Sequence, residues 1–254
     1  MENFDMYISN NGYLVIPEYN IKYLIDFYES SIPIMPEAVE STIRAAGRDG
    51  DYVLKTTYEP ILFNIVCYTD EGLTVEEKIL QETQINTFLN SIKEKTKRLA
   101  FEKDNKFYNV KYSGALVTSN YPAHLKFSIP LKSSDSYAKD VTEKSITGNN
   151  SAISQTVKSA GAIFTIEGPA QDPIISLNDY AMEYNMSILE GSKVEIDTNR
   201  STIININSQG MRSNVMKYYN HQFPKIEYGE NTLKVLGGVD NEEQVTVRWH
   251  DLRL

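Results

Sequence analysis

Side chains that could carry acid–base or metal chemistry are few and scattered in this sequence. The three histidines are His124, His221 and His250, and no two of them stand two or four residues apart. Ligands on one strand or one helix face would share such a spacing, and a zinc site needs three or four ligands. We therefore expect each histidine to be an ordinary strand or surface residue, and the sequence predicts no metal site.

Cys67 is the only cysteine of the chain and its only candidate for a reactive thiol. It lies near the end of the apolar segment from Ile61 to Tyr68, which contains no basic residue that would stabilise a thiolate. Because free cysteine is among the most buried residue types, we predict a core residue. A single cysteine also excludes a disulfide framework and a multi-cysteine metal site.

The acidic pairs and the glycine pair have simpler structural interpretations than catalysis. A glycosidase needs two carboxylates that face one cleft, whereas each acidic pair here fits a helix cap or a turn. A phosphate-binding loop needs Gly-Lys-Ser before a helix, and a common serine-hydrolase motif needs Gly-x-Ser-x-Gly; both are absent. The segments concerned are Glu76-Glu77, Asp49-Gly50-Asp51, Gly237-Gly238 and Glu242-Glu243. We predict no enzyme and no cofactor, and a β-rich glycosidase is the least supported alternative.

An aromatic cluster in the second half is the remaining candidate for a binding site. It comprises Tyr218, Tyr219, His221, Phe223 and Tyr228, with Trp249 further along the chain. Such rings stack on sugars in lectin-like sandwiches, so a carbohydrate-binding module is the alternative function that the sequence leaves open. The simpler interpretation is a hydrophobic core whose tyrosine hydroxyls face a wet rim.

Short strands and one helix would have to position these residues. Runs rich in β-branched and aromatic residues are separated by Asn-Gly, Pro and Asp-Gly turn signals. A helix is predicted from about residue 75 to 96, because Thr74 and Glu77 form a capping box and basic residues close the segment. Its apolar stripe comprises Val75, Ile79, Ile85, Phe88, Leu89 and Ile92. No helical period follows residue 133, so the second half is predicted to be a β-sandwich.

Composition and charge exclude several classes of protein. The chain has 254 residues, 41% of them hydrophobic and 23% charged, which is typical of a globular protein and not of a disordered one. A net charge of −9 argues against a basic surface for nucleic acid. The acidic N-terminus does not resemble a secretory signal, and the early apolar run from Tyr13 to Pro17 is too short to span a membrane.

Two domains are predicted within a mainly β fold. Residues 1–133 contain strands and the helix, and residues 134–254 contain only short strands. Residues 134–159 are rich in Ser, Thr, Asn, Lys and Asp, so they are expected to be partly linker.

Four segments in a fixed order resemble a known family. They are Gly47-Arg48-Asp49-Gly50, Val194-Glu195-Ile196-Asp197-Thr198, Phe223-Pro224-Lys225-Ile226-Glu227-Tyr228-Gly229-Glu230-Asn231 and Val245-Thr246-Val247-Arg248-Trp249-His250. Together with the length and the two-part layout, they are similar to the distal tail proteins of long, non-contractile-tailed bacteriophages, the siphophage tail component family. The resemblance covers nearly the whole chain.

The resemblance implies an assembly protein. Its N-terminal domain would be a β-sandwich and hairpin with one amphipathic helix, related to tail-tube subunits, and would form a homohexameric ring around a central channel. Its C-terminal domain would be a galectin-like β-sandwich that faces outward. The ring would join the tail tube to the adsorption apparatus or baseplate, and DNA would pass through it.

The implied partners are all proteins. They are further copies of the chain, in rings that could stack, the major tail-tube protein, the tail-tip hub or tail-associated protein, and receptor-binding proteins. No specific nucleic-acid binding and no membrane are implied, and the chain would be found at the tail tip of the virion after assembly in the host cytoplasm.

The matching motifs have structural roles under this resemblance. Gly47, Arg48, Asp49 and Gly50 are expected to form a turn, in which Gly50 permits the tight bend and Arg48 could pair with an acid within or between subunits. Gly229 and Asn231 are expected to open the strand that follows them. The family's resemblance to galectins implies no sugar site here, because Trp249 is followed by His250-Asp251-Leu252-Arg253 and not by the lectin pattern.

The same resemblance implies roles for the acidic residues and the tyrosines of the N-terminal domain. Acidic residues of the N-terminal domain are expected to line the channel, since like charge weakens contacts with DNA phosphates. Eleven of the seventeen tyrosines lie in residues 1–133. Because tyrosine is enriched at interfaces, subunit contacts are their expected location.

Overall fold

The computed structural model describes residues 4–33, 35–44, 51–69, 71–114, 117–121, 124–178, 180–219 and 223–253. These residues form twenty-one strands and a single α-helix, so the predicted mainly β fold class is confirmed. The chain divides into two compact units, the first ending at Val141 and the second running from Thr142 to Arg253.

The first unit contains the helix and eleven strands, of which the last continues into the second unit. They are β1 (Met6–Ile8), β2 (Tyr13–Ile16), β3 (Ile21–Ile25), β4 (Ala38–Arg44), β5 (Asp51–Tyr58), β6 (Leu62–Tyr68), α1 (Val75–Glu94), β7 (Lys97–Phe101), β8 (Lys106–Tyr112), β9 (Val117–Asn120), β10 (Leu125–Ser133) and β11 (Ala138–Thr147).

Seven of these strands close into a barrel in the order β8-β7-β1-β2-β3-β6-β10. The barrel closes because β10 pairs with β6 along one edge and with β8 along the other. The strands alternate as the pleat requires: in β3, Ile21, Tyr23 and Ile25 are buried while Lys22 and Leu24 are exposed. The inward residues form one hydrophobic core with the helix.

The helix begins at the predicted capping box and covers one side of this core. Thr74 Oγ1 accepts a hydrogen bond from the Glu77 N–H at 3.2 Å, and Glu77 Oε2 accepts one from the Thr74 N–H at 2.8 Å. Its buried apolar residues are Ile85, Phe88, Leu89 and Ile92, and Lys78 is buried as well, with its Nζ donating to the Tyr121 carbonyl at 2.8 Å. Val75 and Ile79, predicted on the same stripe, are exposed, because the first half of the helix has no part of the barrel core against it.

A two-stranded sheet stands apart from the barrel. Its strands β4 and β5 pair antiparallel from Ala38 opposite Tyr58 to Arg44 opposite Asp51, with a register shift after Ser41. We call this pair of strands the arm. Residues 45–50 connect the two strands and lie outside the described residues, so the predicted turn of Gly47, Arg48, Asp49 and Gly50 lies there too.

The second unit is a sandwich of two sheets. Its strands are β12 (Asn150–Ser154), β13 (Ile163–Glu167), β14 (Ala170–Leu177), β15 (Tyr180–Glu183), β16 (Ser187–Ile188), β17 (Lys193–Asp197), β18 (Thr202–Ile206), β19 (Arg212–Asn214), β20 (Gly229–Val239) and β21 (Val245–Arg253). One sheet runs β19-β18-β17-β13-β21 and the other β12-β20-β14-β15, with β16 beside β14. Residues from both sheets form the second core.

Residues 134–159, expected to be partly linker, contain β11 and β12 instead, and the boundary between the units falls within β11. The polar composition of the segment misled the prediction because some of its hydroxyls are buried and bonded. Ser154 and Thr156 are both buried; Ser154 Oγ donates to Asp251 at 2.6 Å, and Thr156 Oγ1 donates to the Lys158 carbonyl at 2.6 Å.

Candidate assembly surface

The histidines do not come together, as far as the described residues show. His124 stacks on Tyr121 with ring centroids 5.0 Å apart and lies edge-on to Tyr68 at 5.2 Å, in the first unit. His250 lies in the second unit with Nε2 4.0 Å from Glu143 Oε1, and His221 lies outside the described residues. Within the described part of the chain, no group of three or more His, Cys, Asp or Glu residues could hold a metal ion.

Cys67 is a core residue, as predicted. It is fully buried in the barrel, where it lies opposite Ile25 in the pairing of β3 with β6. Burial raises the pKa of the Cys67 thiol. A thiol in this environment is neither ionised nor accessible at neutral pH, so it has no reactive role.

The aromatic cluster does not build a platform around Trp249. The Trp249 side chain is only 2% exposed and belongs to the second core, where its Nε1–H donates to Asp251 at 3.0 Å. Tyr219 and Phe223 stack on each other at 5.0 Å, while Tyr228 is 79% exposed. Sugar stacking needs an accessible ring beside converging polar groups, so the geometry does not favour the carbohydrate-binding alternative.

Gly229 and Asn231 lie at the start of β20, where the resemblance places a turn. Gly229 has φ +96°, a left-handed conformation that favours glycine. The Asn231 side chain is fully buried, and its Oδ1 accepts from the Glu227 N–H at 2.9 Å while its Nδ2 donates to the carbonyls of Glu227 and Gly229 at 2.9 and 3.1 Å. The amide therefore fixes the backbone that enters β20.

The acidic and glycine pairs occupy structural positions. A hydrogen bond from the Thr74 N–H holds the pKa of Glu77 below its ordinary value, as expected for a capping residue. Glu242 and Glu243 are exposed in a short turn, where Asn241 Oδ1 accepts a hydrogen bond from the Glu243 N–H at 3.0 Å. Gly237 and Gly238 lie inside β20. Within the described residues these pairs therefore take structural roles, while Asp49 and Gly50 lie outside the described residues.

The arm presents an exposed apolar surface in the first unit. Every residue of β4 is exposed, and so are the residues of β5 from Val53 to Thr57. Four of its apolar side chains, Val39, Ile43, Val53 and Leu54, are between 42% and 66% exposed. A two-stranded hairpin is at best marginally stable in water, so an arm of this kind needs a partner surface.

Contacts at one end fix the arm to its own domain. Ser136 Oγ donates to the Tyr58 carbonyl at 2.6 Å, while the Glu59 N–H donates to the Glu37 carbonyl at 2.9 Å and so extends the pairing of the two strands at this end. The Tyr58 ring packs edge-on against Tyr137 with centroids 5.8 Å apart. The resemblance implied a hairpin in this domain, but the residue pattern did not locate β4 and β5, because their strands bury no face and so show no apolar alternation.

Comparisons with known proteins show which of them share this fold. Neither a protein-family model nor a curated protein matches the chain. Among solved structures, the Dit protein of phage SPP1, described as a paradigm of the hub adsorption apparatus of phages that infect Gram-positive bacteria, has a TM-score of 0.68 at 11% identity, over 91% of this chain and 94% of that one.

Two structures of the phage P2 baseplate in its activated conformation are also similar. The one with Ca has a TM-score of 0.58 at 10% identity and covers 100% of this chain and 96% of that one. The one with Sr has a TM-score of 0.56 at 10% identity and covers 98% and 96%. The chain therefore shares its fold with phage hub and baseplate proteins, and the resemblance seen in the sequence is confirmed at the level of the fold.

No helix in the described part of the chain is both long enough and apolar enough to cross a lipid bilayer.

Proposed function

We propose that this chain is the structural hub of a bacteriophage tail tip. Copies of it would form a homohexameric ring that joins the tail tube to the adsorption apparatus or baseplate, with a central channel through which DNA passes. The observation that supports this most is the fold similarity to the SPP1 Dit protein, which extends over 91% of this chain and so includes both units.

The arm agrees with an assembly role. Its exposed apolar side chains leave the isolated chain with a surface that another protein must cover. Copies joined head to tail by two different surfaces close into a ring when the rotation between them divides a full turn. The proposal assigns the chain no catalysis, no cofactor and no specific nucleic-acid binding, and places it in the virion.

Size-exclusion chromatography with light scattering, together with negative-stain images of the purified protein, tests the proposal. We expect a hexamer whose images show a ring with a central hole. A protein that remains monomeric at high concentration and shows no ring would contradict the proposed function. Binding of the full chain to a glycan array would favour the carbohydrate-binding alternative instead.

The acidic balance of the chain supports a channel that does not retain DNA. In a ring, acidic side chains of the first unit would line the bore. The surface potential of an experimentally determined ring tests this expectation, and a bore lined mainly by Lys and Arg would contradict it.

A further inference from the structure

The first half of α1 carries an exposed apolar face on the side away from the barrel core. Val75, Ile79 and Leu80 are between 57% and 72% exposed. Glu76 lies one helical turn before Leu80 and so stands beside it on the same face. Its side chain is also exposed, and it forms no ion pair with the described residues. We call Val75, Glu76, Ile79 and Leu80 the helix face, an apolar surface that carries an unpaired carboxylate.

A second exposed surface of the first unit carries two lysines without an anion. Lys111 of β8 lies directly opposite Lys132 of β10, and Leu62 of β6 lies opposite Lys132 on the other side. All three side chains are exposed. Like charges that face each other directly across two strands are destabilising, and neither lysine forms an ion pair within the described part of the chain. We call these three residues the lysine row, over which a partner's carboxylate would relieve the repulsion.

The lysine row borders a cavity of about 510 Å³, which has the volume of a usual binding pocket. Its lining includes Met35 and Leu62, whose apolar side chains are exposed. Glu37 and Glu59 line the cavity too, but among the described residues neither forms an ion pair with Lys132. We therefore expect a partner to place its carboxylate at the pair of lysines and its apolar side chains in the cavity.

The helix face and the lysine row lie at opposite ends of β6. Lys78 in the first half of α1 donates to the Tyr121 carbonyl at 2.8 Å. Tyr121 stacks on His124, which lies edge-on to Tyr68 at the end of β6. Leu62, in the lysine row, is the first residue of this strand and lies about 20 Å from Tyr68 at a rise of about 3.3 Å per residue. One molecule therefore cannot cover its own lysine row with its own helix face.

We propose that the helix face of one copy packs on the lysine row of the next copy in the ring. Glu76 would lie over Lys111 and Lys132. Ile79 and Leu80 would enter the neighbouring cavity. Because the two surfaces differ and lie at opposite ends of the unit, the contact is heterologous, the type that can close a ring. The inference rests on the proposed ring and assigns no partner to the arm.

Charge reversal tests this contact, because the substituted side chains are all exposed. The variant Lys111→Glu with Lys132→Glu should keep the circular dichroism spectrum and shift most of the protein from hexamer to monomer in light scattering. Glu76→Lys should do the same, because it sets a third cation against the lysine row. Combining the three substitutions exchanges the charges across the contact and should restore most of the hexamer.

A matched control reverses two exposed lysines of the first unit that lie outside the lysine row. Lys22→Glu with Lys103→Glu makes the same change in net charge and should remain hexameric. The inference is overturned if the control loses as much hexamer as the lysine-row variant, if the lysine-row variant stays hexameric, or if the combined variant is not restored. Rings of the unsubstituted protein would in each case leave the proposed function standing, whereas their absence contradicts the proposed function itself.

Engineered cysteines give a second measurement, since Cys67 is buried and does not react. Leu80→Cys with Leu62→Cys places one thiol on each surface, and a short bis-maleimide should link its copies into a ladder on denaturing gels that ends at the hexamer. The control is Leu80→Cys with Leu24→Cys, because Leu24 is exposed but lies opposite Tyr68, at the far end of β6 from the lysine row. A ladder from the control and none from the first variant would overturn the inference.

Discussion

The buried hydroxyl of Tyr23 is expected to lower the stability of the folded state. Its side chain is almost fully buried in the barrel, where its ring packs edge-on against Phe127 at 4.8 Å, and its hydroxyl has no hydrogen-bond partner among the described residues. Burial raises the pKa of Tyr23. A buried polar group without a partner loses its hydration and gains nothing in return.

We therefore expect Tyr23→Phe to leave stability unchanged or to raise it by about 1 kcal/mol. The matched control is Tyr68→Phe, because the Tyr68 hydroxyl donates to Asp26 Oδ2 at 2.9 Å, and this bond lowers the pKa of Asp26. Urea denaturation should show a lower midpoint for Tyr68→Phe only. A clear loss of stability in Tyr23→Phe would show that its hydroxyl has a partner.

Asp251 is the opposite case, a buried carboxylate with many partners. Its side chain is almost fully buried, lies 2.7 Å from Lys144 Nζ, and accepts hydrogen bonds from Ser154, the Gln155 N–H and Trp249. Burial alone would raise the pKa of Asp251, but the ammonium and these hydrogen bonds outweigh it and hold the pKa below its ordinary value of 3.8. The carboxylate therefore links β11, β12 and β21.

We expect Asp251→Asn to destabilise the second unit by about 3 kcal/mol at pH 7, because it leaves Lys144 without its anion. A lowered pKa stabilises the folded state above pH 3.8, and this contribution is lost as the pH falls through the folded-state value. The difference in thermal stability between the two proteins should therefore shrink as the pH is lowered below 3.8. A difference that stays constant down to pH 2 would contradict this account.

At the scale of elements, the sequence allowed a helix cap to be predicted, but not which residues of an element are buried by its neighbours. The capping box of α1 was found because Thr74 and Glu77 are three residues apart and satisfy each other's backbone groups. Which half of the helix is buried depends on where the barrel lies, so Val75 and Ile79 were wrongly placed on the buried stripe. Similarly, β4 and β5 have no buried face and gave no signal that a sequence pattern could reveal.

The paired glycines of β20 show a constraint that is visible only in three dimensions. Gly238 has φ +79°, and a Cβ there would lie 2.5 Å from the Gln171 carbonyl oxygen and 2.6 Å from that of Asp172. At Gly237, a Cβ would have no atom within 4 Å. The part of β14 around Gln171 and Asp172, where its pairing with β20 shifts register, therefore approaches β20 closely at Gly238 and not at Gly237.

Replacing each glycine in turn by alanine distinguishes the crowded position from the open one. Gly238→Ala should cost about 2 kcal/mol or more, because it combines an unfavourable φ with overlap against backbone atoms that cannot move aside. Gly237→Ala should change stability by less than about 0.5 kcal/mol. Chemical denaturation of both variants measures the difference, and equal effects would contradict the close approach.

At the scale of the molecule, the composition predicted two domains with a boundary after residue 133, whereas the first compact unit ends at Val141. A change to polar composition after residue 133 predicted a partial linker, whereas the segment contains β11 and β12, and its Ser154 and Thr156 hydroxyls are buried and hydrogen-bonded. Composition records polarity and not whether polar atoms find partners, so it cannot distinguish a solvated linker from a bonded strand. The strands of the arm were not located for a related reason, since they bury no face within the chain.

Because the two units have separate cores, we expect a core substitution in one unit to destabilise mainly that unit. Phe88 is fully buried in the first core and Phe164 in the second, and the two clusters share no residue. Truncating either ring to alanine removes a similar buried volume and should cost about 3–5 kcal/mol. In scanning calorimetry of the full chain, Phe88→Ala should lower one unfolding transition and Phe164→Ala the other. A single transition that shifts by the same amount in both variants would mean instead that strand β11, which continues from one unit into the other, makes them unfold together.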